Sequence, residues 1–260
     1  MEFIAILLSS ILALGSPVGL AIDTLAENAI LSQVERVEEL QIRVDNTPNY
    51  QVIQGKVQRI RMASRGVWLT PEMRIDTLEL ETDPIDVDLQ RLTRGGKESL
   101  AKSLRQPLQT GVRLRLTESD INQALQSPAA TAKLQQLHFR LSSGSRQKYQ
   151  VFQPRIEFLA NNRIRFQADI QEGEKQPIPV TLESGLSVTA GQSLQLIDPI
   201  VLVDGQPMPP LLVGIFTSGL TNRYNLRSWE DAGITARVLQ LKIDTGTLEL
   251  AGFVQFKPEN

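Results

Sequence analysis

Residues 163–170 read Arg-Ile-Arg-Phe-Gln-Ala-Asp-Ile, with an apolar side chain at every second position. In an extended chain, successive side chains point to opposite faces, so this stretch has one apolar face and one polar face. Asn161-Asn162, directly before it, supplies the residue types of a tight hairpin turn. The stretch therefore predicts an antiparallel strand with one face in water.

The same period of two recurs through most of the chain. Arg65-Gly66 is predicted to turn the chain between early strands, and Asp244-Thr245-Gly246 to join the two closing strands in a hairpin. In all, the pattern predicts ten or more antiparallel strands, near 40–44, 55–64, 78–80, 85–89, 112–116, 156–158, 164–170, 178–182, 185–189, 194–203, 236–243 and 248–256.

Four helices are predicted between and around these strands. Thr117 with Asp120 forms a capping pair for a helix to about Gln126, and Ser127-Pro128 opens another to about Gln136. Ser16-Pro17 opens a longer helix over 17–33, and a fourth is predicted over 211–226, after a break at residues 207–210. An open sheet must bury its apolar face on another layer, so the two longer helices are expected to cover the strands. Their apolar residues are the candidate ligand contacts: Val18, Ile22, Leu25, Ile30, Leu211, Leu212, Ile215, Phe216 and Leu220.

The N-terminus begins with an uncharged apolar stretch over residues 3–22. It is long enough to span a bilayer, and small residues near Ala13 and Ala21 would suit a cleaved signal peptide. No basic residue precedes Arg36, which departs from both patterns. A cleaved signal and a retained anchor both remain open. We divide the chain into an apolar segment, 1–15, and one folded domain, 16–260.

Composition excludes several classes of protein. The net charge is −2, without the basic excess of a nucleic-acid binder. There is no cysteine and only one histidine, His138, so thiolate chemistry, iron–sulfur clusters and histidine-rich metal sites are excluded. No phosphate-binding glycine loop and no nucleophile elbow occurs. Asp83, Asp86 and Asp88 fit the wet face of a strand better than a calcium site. We therefore predict no catalytic residue, no metal and no cofactor.

Four segments resemble the LmeA-like phospholipid-binding family of bacterial envelope proteins: residues 44–57, 74–85, 114–125 and 233–239. The resemblance implies an α+β fold like that of the tubular lipid-binding proteins, with a highly curved antiparallel sheet wrapped around long apolar helices and enclosing a hydrophobic groove. It also implies a non-enzymatic protein of the cell envelope, periplasmic or membrane-associated, whose partners are phospholipids or other acyl lipids and the membrane surface. The competing hypothesis is a structural or scaffolding envelope protein without a ligand.

Overall fold

The computed structural model describes residues 31, 34–47, 49–94, 99–135, 149–213 and 226–258. Thirteen strands lie within these residues: β1 (Arg36–Asp45), β2 (Lys56–Val57), β3 (Arg59–Thr70), β4 (Met73–Thr82), β5 (Ile85–Asp86), β6 (Leu108–Thr117), β7 (Tyr149–Leu159), β8 (Arg163–Glu172), β9 (Ile178–Thr189), β10 (Ser193–Val203), β11 (Gln206–Pro207), β12 (Ile234–Asp244) and β13 (Thr247–Phe256). The described helices are short: α1 (Leu89–Arg94), α2 (Ser99–Ser103), α3 (Glu118–Leu125) and α4 (Pro128–Gln135), with 3-10 turns at Asn49–Gln54 and Leu226–Ala232.

Two sheets dominate this architecture. One has six strands in the order β1-β3-β4-β6-β13-β12, and the other has five in the order β11-β10-β9-β8-β7. The pairings resolved within them are antiparallel. The prediction of a mostly antiparallel β protein with few helices is therefore confirmed.

The chain divides into two compact units. The first contains the described residues up to Arg115, together with Leu226–Gln240 and the residues from Leu250 onward, and the second contains Leu116–Asn225 and Leu241–Glu249. Strands β1, β3 and β4 belong to the first unit, and the whole five-stranded sheet belongs to the second. The prediction of one domain over 16–260 stays a prediction.

The six-stranded sheet has a closely packed apolar face. Ile42 pairs with Met62 and Met62 pairs with Leu80, so these side chains form a row across three neighbouring strands. Their exposed fractions are only 7%, 3% and 3%. We call this the sealed apolar face; its most buried described members are Ile42, Ile60, Met62, Leu78, Leu80 and Leu108.

Local sequence signals explain the turns and caps. Asn161 and Asn162 both adopt positive φ, 63° and 56°, in the three-residue loop between the paired residues Leu159 and Arg163. Thr117 caps α3 by accepting a hydrogen bond from the Asp120 amide, and its hydroxyl donates to the Asp120 carboxylate at 2.6 Å. Ser127 likewise accepts from the Ala130 amide at the start of α4. These turn and cap predictions are confirmed.

Two local predictions were wrong. Gly66 does not turn the chain, because β3 continues through it to Thr70 and its partners on both sides stay in register. Its positive φ of 56° is a distortion inside the strand, where an added Cβ would lie 2.3 Å from the Glu38 side chain. The strand predicted over 85–89 ends at Asp86, and Leu89 begins α1. Asp88 caps that helix, since its carboxylate accepts from the Gln90 amide.

Candidate functional site

A second apolar face lies on the five-stranded sheet. Across its strands Ile156 pairs with Phe166, Phe166 with Leu182, and Leu182 with Val201. Alternation along each strand extends this row into a continuous surface. We call it the open apolar face; its members are Val151, Ile156, Phe158, Ile164, Phe166, Ala168, Ile170, Ile178, Val180, Leu182, Leu186, Val188, Leu194, Leu196, Val201 and Val203.

Incomplete burial distinguishes this face from the sealed one. Of the four apolar residues that β8 contributes to this face, Ala168 alone is buried, and the other three are partly buried. A small core of Leu182, Val201 and Val213 is packed against five side chains that are themselves only partly buried. At one end of the face, Ile178 is 44% exposed. Five of the sixteen members of the face are buried, Ile178 is exposed and the other ten are partly buried, so the face is only partly covered; the buried five are Val151, Phe158, Ala168, Leu182 and Val201.

A bulge in β10 shapes one border of this face. The register of β10 against β9 shifts between Ile197 and Ile200, and Asp198 lies there with a φ of 46°. The hydroxyl of Ser184, which is fully buried, lies within hydrogen-bond distance of two carbonyl acceptors, that of Gly185 at 2.9 Å and that of Ile197 at 3.0 Å. These acceptors satisfy the buried hydroxyl among the apolar side chains, and the carbonyl of Ile197 ties it to the bulge, which bends the strand.

The opposite face of the same sheet is charged and internally paired. Glu183 accepts hydrogen bonds from Arg165 at 3.0 Å and from Arg163 at 3.1 Å. Arg165 also donates to Glu157 at 2.7 Å. The hydrogen bond from Arg165, followed by that from Arg163, holds the pKa of Glu183 below its ordinary value. The hydrogen bonds to Glu183 and then to Glu157 raise the pKa of Arg165. These arginines are engaged with carboxylates, so the sheet has one polar and one apolar side.

A wide, open concavity of about 950 Å³ lies on the six-stranded sheet. Its arginine side chains are paired with carboxylates of opposite charge: Arg113 lies 3.6 Å from Glu79, and Arg61 is hydrogen-bonded to Asp45. The bond from Arg61 is the main cause that lowers the pKa of Asp45. Because these cations already have carboxylate partners, we do not assign ligand binding to this concavity.

The structure describes two of the nine predicted contacts. Leu211 and Leu212 lie in a short helical stretch after the proline-rich segment, and they are 79% and 49% exposed. Their neighbour Val213, which was not predicted, is 6% exposed and belongs to the core of the open apolar face. The other seven lie outside the described residues: Val18, Ile22, Leu25, Ile30, Ile215, Phe216 and Leu220. All nine assignments stay predictions.

The candidate contacts named from the sequence all lie on predicted helices, and the apolar strand residues of the five-stranded sheet were not among them. The signal was present in the strict alternation of 164–170, but that alternation marks the apolar side of a strand without saying how much of it is covered. His138 and the apolar N-terminal segment also lie outside the described residues.

Within the described ranges, no helix is both long and apolar enough to cross a membrane. Over the same ranges, no group of three or more histidine, aspartate or glutamate side chains is arranged to hold a metal ion.

Comparison with known proteins gave one match. A family model described as LmeA-like phospholipid-binding matches residues 15–253, which is most of the chain. Neither the comparison with curated proteins nor that with solved structures found a match.

Proposed function

Because this chain belongs to the LmeA-like phospholipid-binding family, we propose that it holds the acyl chains of a phospholipid on the open apolar face of its five-stranded sheet. The observation that carries this proposal is the contrast between the two sheets. Strands β3 and β4 bury Met62 and Leu80 to 3% exposure, whereas the apolar side chains of β8 other than Ala168 are only partly buried. A ligand can occupy only apolar surface that the protein has not already covered.

The energetic argument favours an acyl ligand on such a face. Each methylene group that leaves water contributes about 0.8 kcal/mol, so a long acyl chain gains several kcal/mol from contact with Phe166, Val180 and their neighbours. The ion-paired side, with Glu183 between Arg163 and Arg165, already satisfies its own charges. The apolar side therefore supplies the affinity, and such a site binds lipid without a catalytic group.

The fuller form of the proposal includes the helices predicted at 17–33 and 211–226. In it, the helices line a hydrophobic groove together with a curved sheet, and the protein carries or shuttles phospholipid in the bacterial envelope without acting as an enzyme. Its support is the family membership, together with the position of Leu211 and Leu212 next to the core residue Val213.

The test compares a charge on each face. Ile170 lies on the open apolar face and Leu80 on the sealed one. Ile170→Glu should remove co-purifying phospholipid, measured by extraction and native mass spectrometry, while the melting transition stays near that of the wild type. Leu80→Glu should instead lower stability strongly, because a buried unpaired carboxylate costs several kcal/mol. If wild-type protein carries no lipid and both variants unfold alike, the structural hypothesis takes the lead.

A further inference from the structure

Two apolar segments, residues 177–179 and 207–212, adjoin the end of β10 in the five-stranded sheet, the first through Asp204 and the second through Leu202. Ile178 begins β9 there, and the Asp204 amide donates to the carbonyl of Pro179 at 2.9 Å, which brings the end of β10 to the same place. The Met208 amide donates to the carbonyl of Val201, and the Leu212 amide to that of Pro209. We call this cluster the apolar tip; it consists of Pro177, Ile178, Pro179, Pro207, Met208, Pro209, Pro210, Leu211 and Leu212.

The tip exposes large apolar side chains that the core does not need. Ile178, Leu211 and Leu212 are 44%, 79% and 49% exposed. The tip is also continuous with the open apolar face, since Ile178 is a member of that face and Met208 packs against its core. Acyl chains held on that face would thus meet an apolar surface at this end of the sheet.

The backbone of the tip is suited to an apolar environment. Five of the chain's 14 prolines lie within it. A proline has no backbone N–H, so a proline-rich loop can enter lipid without leaving those donors unsatisfied. The Met208 and Leu212 amides already have backbone partners. The cost that normally keeps loops out of a bilayer is therefore reduced here.

Charges next to the tip indicate which kind of membrane it fits. Among the described residues, the ionisable side chains next to the tip are Asp169, which pairs with Pro179, and Glu172, Glu174, Lys175 and Asp204; Lys175 is paired with Glu172 at 3.0 Å. Four carboxylates and one ammonium form no cationic patch for anionic headgroups in the part of the chain that the structure describes. Apolar insertion, rather than charge attraction, is the interaction that these residues offer.

We propose that the apolar tip docks into the surface of a lipid bilayer and brings the open apolar face to the membrane for lipid exchange. This inference rests on the proposed function, because the lipid that passes the tip is the one held on that face. A continuous apolar path matters physically, since an acyl chain that crossed water would lose the hydrophobic contribution of each methylene on the way.

The test uses the absence of cysteine in the natural chain. Leu211→Cys and Leu239→Cys are made in the full chain and labelled with a nitroxide. Both leucines are highly exposed, at 79% and 70%, but Leu239 lies on β12 of the other sheet and serves as the matched control. The measurement is the collision rate of each label with oxygen and with a polar nickel complex, with and without phosphatidylcholine vesicles.

The label at 211 should gain oxygen collisions and lose nickel collisions when vesicles are added, whereas the label at 239 should change little. Ile178→Glu with Leu212→Glu, introduced into the 211-labelled protein, should reduce this change at least tenfold. Adding phosphatidylglycerol to the vesicles, or salt to the buffer, should leave the change within about twofold, because no cationic patch contributes.

Three results would overturn the inference. The first is a label at 211 that stays in water, and the second is equal insertion of both labels. The third is a response at 211 that depends on protein concentration in the absence of vesicles, which would identify the tip as a self-association surface. Binding of monomeric dihexanoyl phosphatidylcholine by the unlabelled protein is measured separately. Binding with no insertion refutes the tip alone, whereas no binding refutes the proposed function.

Discussion

At Gly55 the backbone passes against its neighbour so closely that no side chain fits. Its φ is 82°, and a Cβ built there would lie 2.0 Å from the carbonyl oxygen of Val87. The Gly55 carbonyl also accepts a hydrogen bond from the Val87 amide at 2.9 Å, which ties the segment before β2 to the chain after β5. The position therefore demands glycine for both its conformation and its space.

Gly55→Ala should lower the free energy of unfolding by about 2 to 4 kcal/mol, combining left-handed backbone strain with the steric conflict. Gly205 is the control, because it has a similar φ of 71° and nothing within 4 Å of an added Cβ. Gly205→Ala should cost only about 1 kcal/mol, the backbone part alone. Urea unfolding measures both values, and equal losses would show that the contact with Val87 is not limiting.

Glu183 gives the five-stranded sheet a pH-dependent contribution to stability. Arg165 first and then Arg163 lower its pKa from the ordinary value of 4.5, so its stabilisation is complete above that value and is lost as the pH falls through the lowered pKa. Glu183→Gln should therefore destabilise the protein more at pH 7 than at pH 3 in urea unfolding. Glu174→Gln, in an exposed loop, is the control. A Glu183→Gln effect independent of pH would contradict the ion-pair account.

At the scale of elements, helix α3 completes the edge strand β7. The Asn122 amide group donates to the carbonyl of Ile156 at 2.9 Å and its oxygen accepts from the Ile156 amide at 2.8 Å, as a neighbouring strand would. Glu118 accepts from the Phe158 amide at 2.9 Å. These side chains cover backbone groups that an edge strand otherwise leaves open to pairing with another chain.

Asn122→Ala should cost about 2 to 4 kcal/mol, because it leaves both the N–H and the C=O of Ile156 without a partner in a partly buried place. The neighbouring Gln123 is exposed on the same helix, so Gln123→Ala should leave stability within about 0.5 kcal/mol of the wild type. Thermal unfolding measures both. Equal effects would mean that α3 stabilises β7 through its backbone alone.

Strands, hairpins and caps were predictable from sequence because short-range chemistry decides them. The alternation in 164–170, the Asn161-Asn162 turn and the capping pair Thr117 with Asp120 each need only neighbours along the chain. Gly66 was mistaken for a turn because positive φ serves both a turn and a distorted strand, and the choice depends on Glu38 and the partner strands. Leu89 continues the apolar alternation of Ile85 and Val87 and was therefore predicted to lie in a strand, but Asp88 caps a helix that begins at Leu89.

The candidate site was less predictable for a related reason. Residues 59–64 and 163–170 both alternate, yet β3 buries Ile60, Met62 and Ser64 whereas β8 buries only Ala168. Burial of a strand face is set by the layer that covers it, and that information lies far away in the chain. Sequence therefore gave the apolar side of each sheet but not which side was left accessible.

At the scale of the whole molecule, the two sheets should respond differently to lipid. A ligand that binds only the native state stabilises it, by about 2.7 kcal/mol at one hundred times its Kd. If the ligand binds the open apolar face, it raises the free energy only of those local unfolding events that disrupt this face. The sealed apolar face, with Met62 and Leu80 already at 3% exposure, gains nothing locally.

Hydrogen exchange with monomeric dihexanoyl phosphatidylcholine should therefore slow the amides of β8 and β9 by up to about 100-fold at that lipid excess, while the local openings of β3 and β4 keep their rates. Ile170→Glu should abolish the slowing, because a carboxylate on the open face opposes apolar contact. Mass spectrometry of peptides from the two sheets measures the difference. Equal slowing in both sheets would indicate general stabilisation without a local site, and slowing confined to β3 and β4 would move the ligand to the other sheet.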